Sequence, residues 1–509
     1  MFKLKLFDLS LIFLVSIFLF LYAMDIAFDN NEFWLFNEAS YFSQGQLPFI
    51  DYFSHRLPLH QILLGSFFFL FEDTYIIARV FSIIVTITSI TLVYATLKSQ
   101  KYNFIFLILI FLNYNFFYSH AVNLNYSLTS LLFALSIFFF FHGSLRNRYL
   151  IFFIFQILLY LNSYLLSPQL ILLFILFFVY LVFVNDVRKI EVTFILFITL
   201  LAFFIFNILS KGNFFYGTWE FNLGQLSEMF KRNILSDNFD EYYERFIYQR
   251  KSEIKNIPVI LFFIALVNFI LIKNLKKIFY KIKNKKISNS FFIYLYLYLF
   301  IHGYFFALFF TGFDFFVTKS YCYLPCMYLS VIIFNKFLNS EIKKNEKKIQ
   351  FAVVTIFLFF SMFNLTYNWN FIKFLADKKN INKELKIINN NNNNNTKQKK
   401  YSATFLPILD TNEIILDKHL SMELYSFLHD LNTNESAKRK LSHIENFKKK
   451  IMLKEYNFLI IGNRLTGKKN MSKVFGTEKK ELIELINLKY KLKKKVDTTS
   501  FGEVKIFIK

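Results

Sequence analysis

The 509-residue chain has little of what breaks, staples or solvates a fold: 12 Gly, 6 Pro, 2 Cys, and only 18% charged residues. Against that stand 55% hydrophobic and 21% aromatic residues, with 74 Phe. So apolar a composition excludes a soluble domain of this length, whose core has no use for 74 Phe, and places the chain among membrane proteins. With few Gly and Pro and no internal repeat, the chain lacks the marks of a transporter built from repeats and broken helices. Cys322 and Cys326 lie four apart on one helical face inside an apolar run. That spacing suits a disulfide poorly, so both read as buried small residues.

The formal charge of +24 invites a nucleic-acid reading, which the composition rejects. Lys rises together with Asn, Ile and Phe, including the run Asn389–Asn395, the pattern an AT-rich genome writes into any protein. No nucleic-acid partner is expected.

Apolar runs mark candidate spans at 6–23, 75–97, 103–120, 126–142, 149–165, 168–184, 192–210, 257–272, 290–311, 321–338 and 350–367. The first, Leu6–Ala23, is too long for a signal-peptide core and lacks a small-residue cleavage site, so it reads as a retained anchor. The run Leu57–Phe71 has fifteen residues. As a helix it would reach only roughly 22 Å of a hydrocarbon core about 30 Å thick.

Charge decides whether it crosses. If it does not, one side of the membrane collects Lys3 and Lys5, Lys98 and Lys101, Arg146 and Arg148, Arg188 and Lys189, Lys273–Lys286 and Lys343–Lys348. The short loops on the other side hold almost only Arg56 and Lys319. If it crossed, every later loop would be inverted and the positive-inside bias would point the wrong way. Eleven spans follow, with 57–71 lying in the interface as an amphipathic or re-entrant helix.

This parity puts the acidic loop 24–74, the turn Ser119–Asn125, the loop 211–256 and the tail 368–509 outside. The expected fold is an all-α polytopic membrane protein of about 11 transmembrane helices with a small α/β C-terminal extracytoplasmic domain. The expected division is a transmembrane domain (1–377), a flexible Asn/Lys-rich linker (378–400) and the α/β domain (401–509). The last rests on short apolar alternations such as "EYNFLIIG" and "EVKIFIK". Within it, "GNRLTGKK" (Gly462–Lys469) approaches a phosphate-binding loop but ends on Lys469 where a hydroxyl must hold Mg²⁺. No helical pattern follows to cradle phosphates, so it reads as a polar turn.

The first loop carries the chemistry. Residues 29–60, "DNNEFWLFNEASYFSQGQLPFIDYFSHRLPLH", hold Asp29, Glu32, Glu38 and Asp51, then His55 and Arg56, with no lysine. The ordered set Glu32, Ala39, Gly45, Pro48, Phe49, Asp51, Arg56, Pro58 and Leu59, then Ala78 and Arg79 with Ser82, resembles the first external loop of the GT-C integral-membrane glycosyltransferases. Relatives of that group include protein O-mannosyltransferases and the lipid A aminoarabinose transferase. The spacing from Glu32 through Pro58 needs no gap.

The resemblance implies transfer of a hexosyl or pentosyl group from a polyprenyl-phosphate donor to a glycan, lipid or protein acceptor, in contact with the lipid bilayer. Such transfer needs a carboxylate to take the acceptor proton and cations to meet the leaving phosphate. The resemblance assigns the first task to the loop-one acidic pair. Its first position here is Asn31, leaving Glu32, with Asp29 and Asp51 as the other catalytic candidates. Arg56 takes the place of the family's basic residue, and Lys319, before "SYCYLP", resembles a second phosphate-facing cation. "SHAVNLNYSLTSLL" resembles the family's second loop, with His120 and Asn125 at its arginine and aspartate positions. An amide is no base, but Asn31 and Asn125 can orient a hydroxyl or a phosphate. Arg79, an intramembrane charge, calls for a partner: a loop carboxylate or a ligand.

Plainer readings stand beside these. Glu38 is expected to face solvent or to pair on an interfacial helix, and Asp51 to cap a turn after Pro48. His55 and His60 read as ordinary interfacial histidines, since a metal would need Glu32 to converge with them. No organic cofactor is implied, and a divalent metal is left open. The rival functions are a flippase or transporter of lipid-linked glycans, and a catalytically inactive relative that serves as an assembly partner.

Overall fold

A computed structural model of the chain describes residues 6–27, 30–54, 56–71, 74–97, 103–111, 113–144, 146–162, 166–184, 186, 188–220, 291–301, 323–332, 348, 355, 368–391, 400–404, 414–417, 444–461, 478–500 and 502–509. It is mostly helical, with one small sheet. The first ten helices are α1 (Leu6–Asp25), α2 (Asn30–Ser43), α3 (Leu59–Phe68), α4 (Tyr75–Leu97), α5 (Phe104–Phe111), α6 (Tyr114–Ala121), α7 (Asn125–His142), α8 (Arg148–Leu161), α9 (Leu166–Phe183) and α10 (Lys189–Leu209). Near the C-terminus lie α11 (Asn370–Asn391), α12 (Ile444–Met452) and α13 (Glu478–Lys489).

Three helices among the described residues, α4, α7 and α10, are long and apolar enough to cross a membrane. They match the expected spans 75–97, 126–142 and 192–210 to within three residues at each end. Hydrocarbon offers no partner for a backbone N–H or C=O, so an apolar run this long closes its own hydrogen bonds as a helix. The hydroxyls of α4 follow the same logic: Thr88, Ser89, Thr91 and Thr96 each donate to the carbonyl four residues earlier, at 2.7–2.9 Å. Shorter apolar helices occupy Leu9–Asp25, α3, α8, Leu172–Phe183, Phe291–Ile301 and Tyr323–Ile332. The expected span 257–272 lies outside the described residues, as does 350–367 apart from Thr355. The expected span 103–120 is two short helices, α5 and α6. Asn113 ends the run because its side chain accepts from Phe116 N at 3.1 Å and starts α6 as its N-cap.

The chain divides into two compact units. The first comprises Met1–Phe20, His55–His60 and Val80–Asn364; the second comprises Leu21–Ser54, Gln61–Arg79 and Leu365–Lys509. In the first unit α7 and α8 form an antiparallel hairpin. Aromatic rings fill it: Phe140 packs on Tyr149 and Phe152, with ring centres 5.2 and 5.7 Å apart, and Phe152 packs on Tyr296 at 5.1 Å. Gly143 ends α7 where a Cβ would lie 2.4 Å from the Phe139 carbonyl oxygen. Only 11% of the most apolar stretch of α10 is buried, which leaves Phe194, Phe197, Leu200 and Phe204 facing outward. Such a face suits lipid and not water.

The second unit contains the loop-one helices and a five-stranded sheet of order β2-β1-β3-β5-β4. Its strands are β1 (Lys400–Thr404), β2 (Ile414–Leu416), β3 (Phe458–Ile461), β4 (Lys491–Thr498) and β5 (Gly502–Ile508). β1, β2 and β3 run parallel, while β5 is antiparallel to β3 and β4. Side chains alternate across the sheet. Leu459, Ile461 and Phe507 face Phe447 and Ile451 of α12 and Leu482 and Ile486 of α13. Phe458, Ile460 and Ile506 face Ile381, Leu385 and Ile388 of α11. The stretch "GNRLTGKK" lies outside the described residues apart from its approach, β3.

The expected linker 378–400 is corrected over most of its length: it is helical to Asn391. The physical reason is a stripe at helical spacing. Phe371, Phe374, Lys378, Ile381, Leu385 and Ile388 recur every three or four residues and share one face. All but Lys378 are buried.

Candidate functional site

The first loop is largely helical. α2 is buried from Phe33 to Ser40 on every side, although its sequence mixes Asn, Glu and Ser with aromatics. Glu32 stands in its first turn, where the helix N-terminus favours a carboxylate. Both Glu32 oxygens are held by one guanidinium: Arg79 Nε donates to Oε1 and Nη2 to Oε2, each at 2.7 Å. Both residues are 0% exposed.

The rest of Arg79 is equally engaged. Nη1 donates to the carbonyls of Ala23 and Ile26, and Nη2 reaches toward that of Ala27. Ala23 stands in the last turn of α1 and Ile26 and Ala27 just beyond it, where a helix runs out of its own donors. The Phe371 ring lies 3.7 Å from Arg79 Cζ, in cation–π contact. Beside it, Trp369 N, at the start of α11, donates to Asp25 Oδ1 at 3.1 Å. Arg79 thus ties the end of α1, α2, the first turns of α4 and the start of α11. Of the two partners the sequence left open for Arg79, the structure shows the loop carboxylate.

Of the two places expected for Glu38, solvent is excluded. It is 0% exposed rather than facing solvent. Six residues beyond Glu32 on the same helix, it points to another face. There Ser54 Oγ donates to Oε2 at 3.0 Å, Gln61 Nε2 donates to the same oxygen, and Tyr52 Oη donates to the Glu38 carbonyl at 3.1 Å. Burial, then the charge of Glu38, pushes the Tyr52 hydroxyl well above its ordinary value, so it remains a donor. Sequence reasoning missed the cluster because burial of Glu38 depends on α3 and on Ser54 arriving from a distance. One signal was available: Gln61 is a lone amide inside an apolar run.

Asp51 takes the plainer role. It is exposed, and its Oδ2 accepts from Leu47 N at 2.7 Å across the turn. Gly45 has φ +82°, which favours glycine at this point of the motif. Phe49 has φ 66°, a conformation that costs a non-glycine residue about 1 kcal/mol or more. Its burial at 1% exposure holds it there.

In the first unit buried polar side chains sit among apolar helices. Arg56 is buried at 3% exposure. His60 Nε2 lies 3.1 Å from Asn123 Oδ1. His120 stacks on Phe116, and its ring nitrogens lie 2.8 Å from Ser119 Oγ and 2.9 Å from Ser130 Oγ. Asn125 and Asn162 hold each other: each side-chain amide donates to the other's backbone carbonyl at 2.9 Å, and Asn162 Nδ2 also reaches Thr129 Oγ1 at 2.8 Å. That exchange pins the start of α7 to the end of α8.

Asp29, His55 and Lys319 lie outside the described residues, and of Asn31 only the backbone is described, within α2. Among the described residues no three His, Cys, Asp or Glu side chains gather as a metal site. The structure therefore joins Glu32 to Arg79, leaves Asp51 to its own turn, and adds Glu38, Ser54, Gln61 and Tyr52. No family model and no curated protein matches this chain.

Proposed function

We propose that the chain is a polytopic glycosyltransferase that moves a sugar from a polyprenyl-phosphate donor to an extracytoplasmic glycan, lipid or protein. It would work at the outer face of a bacterial inner membrane, with eleven spans and the C-terminal α/β unit outside. One observation carries the reading. Two carboxylates, Glu32 and Glu38, are wholly buried six residues apart on one short helix among apolar segments. Burying a carboxylate is costly, and membrane proteins keep such groups where they have work to do.

Within this reading the Glu32–Arg79 pair fixes α2. Glu38, which accepts from Ser54 and Gln61, takes the acceptor's proton, while the resemblance gives the leaving phosphate to Arg56, with Lys319 as its expected companion. Asn31 and Asn125 contribute orientation rather than proton transfer. A second reading, an inactive relative acting as an assembly partner, draws on the engagement of Asn125 by Asn162 and of Glu32 by Arg79.

The test is direct. The full chain in nanodiscs, with envelope glycans, lipids and proteins added as acceptors, is offered a panel of short polyprenyl-phosphate hexoses and pentoses, and release of polyprenyl phosphate together with sugar transfer to the added acceptors is followed. Release dependent on the protein supports transfer. Saturable lipid binding without release across the panel supports the inactive relative, and absence of both removes the donor class altogether.

A further inference from the structure

His60 is the second residue of α3, and its ring is 1% exposed. Nε2 faces Asn123 Oδ1 at 3.1 Å. An amide oxygen only accepts, so Nε2 must carry a proton and donate. Burial pushes the imidazole down to about 4; the Asn123 bond opposes this and the charge of Arg56 adds to it. The ring is therefore neutral near pH 7 and holds a single proton, on Nε2. Nδ1 is left as a lone pair, and among the described residues it meets no donor.

A buried acceptor without a partner is destabilising, and a ligand donor would relieve it. The surroundings say which donor. The acceptor stands four residues from Arg56, a buried cation whose charge is felt at the ring. Among the described residues no set of metal-ligating side chains accompanies it. A neutral acceptor beside a fixed cation matches an anion that carries a hydroxyl next to its charge. A glycosyl phosphate has that form, since the sugar hydroxyl at C2 neighbours the anomeric phosphate. A bare polyprenyl phosphate has the anion and no such hydroxyl.

We propose that His60 is a specificity-determining residue: its Nδ1 accepts a hydrogen bond from the sugar hydroxyl or N–H beside the phosphate of the lipid donor, while Arg56 faces that phosphate. The inference rests on the lipid-linked-sugar reading above. His60 makes the site distinguish a loaded carrier from an empty one, which favours release of the spent lipid after transfer.

The test measures binding of three lipids to the full chain in nanodiscs: polyprenyl phosphate, its hexose conjugate, and the 2-deoxyhexose conjugate. The parent should bind the hexose conjugate about tenfold tighter than either of the others, the factor one hydrogen bond supports. His60→Phe keeps the ring and removes the acceptor, so the preference should vanish while bare-lipid affinity stays. His60→Gln retains an acceptor and should restore part of the preference. Arg56→Ala should weaken all three lipids alike. Should His60→Phe fold poorly, the imidazole ¹⁵N resonances of the parent serve instead: the Nδ1 signal assigned to His60 should move with the hexose conjugate and stay put with the bare lipid. Equal binding of the three lipids by the parent, a preference that survives His60→Phe, or an unmoved Nδ1 signal overturns the role of His60 alone. A parent that binds none of the lipids overturns the donor reading, and the role of His60 with it.

Discussion

Arg79 grips Glu32 through two parallel bonds of 2.7 Å, both partners 0% exposed, and so binds the two residues into one structural unit. Against well-packed apolar residues such a pair gains little, yet removing one partner strands the other charge and costs about 3–5 kcal/mol. Glu32→Gln and Arg79→Ala should each lower the unfolding temperature of the chain in nanodiscs. Arg79→Lys should fail to rescue, because an ammonium cannot span both carboxylate oxygens and three carbonyls. The double variant Glu32→Leu/Arg79→Met should recover part of the loss. Glu32→Gln that unfolds like the parent yet abolishes transfer would return Glu32 to the chemistry.

Glu38 and Asp51 should separate cleanly in a transfer assay. Glu38→Gln should reduce turnover by roughly 10²–10⁴, the contribution a general base commonly makes. Asp51→Asn should stay near the parent, since an amide oxygen still accepts from Leu47 N. The opposite ranking moves the proton acceptor to the turn.

Asn125→Asp restores the carboxylate that the resemblance expects at this position. The structure predicts harm rather than gain. The substitution deletes the donor to the Asn162 carbonyl, and it should cost about 1–3 kcal/mol, read as a lower unfolding temperature with no rise in turnover. Faster transfer would show that the exchange between α7 and α8 is dispensable and the position catalytic.

Asp417 gives the sheet a pH signature. Burial pushes its carboxyl up, but the Lys450 ammonium at 2.8 Å and the hydroxyls of Tyr456 and Tyr401 outweigh burial and hold it below its ordinary value. A depressed carboxyl stabilises the fold above its unfolded value, about 3.9. That stability drains away as the pH falls further, toward the folded value. Amide exchange in β1 and β2 of the full chain should therefore accelerate below about pH 4, and Asp417→Asn should flatten this acid step. Exchange that ignores both acid and Asp417→Asn would mean the cluster carries no such linkage.

Topology has its own reporter. An alkaline phosphatase fused after Lys509 should be active in a bacterial host if the spans number eleven. Activity confined to a cytoplasmic reporter would invert the loops and remove the first loop from the outer face.

How far the sequence could be read depends on where each signal resides. α4 and α10 were legible because a span is a local property: length and apolarity suffice. The break at Asn113 was legible in principle, as an N-cap residue ahead of an aromatic run, but the apolar average over 103–120 hid it. The same averaging hid α11, whose Phe371–Ile388 stripe lies among Lys and Asn. α2 could not be read by periodicity at all, because a helix buried on every side has no polar face. Glu38 lies beyond any local signal, since its burial requires Ser54 and Gln61 from elsewhere in the chain. Asn125 was legible as a residue of interest, whereas its engagement by Asn162 required the antiparallel packing of α8.

One stripe of α11 meets two different clients. Phe371 and Phe374 lie against Arg79 and Tyr75, and Ile381, Leu385 and Ile388 carry the sheet. A helix transmits angle as faithfully as distance. Each residue added between Phe374 and Ile381 turns everything beyond it by about 100° and advances it by about 1.5 Å. A single insertion therefore points the sheet-bearing side away from its present bearing, whereas seven added residues bring it nearly back, one length further out. The segment behaves like a toothed shaft: it tolerates changes of sequence, but changes of length only in whole steps of phase.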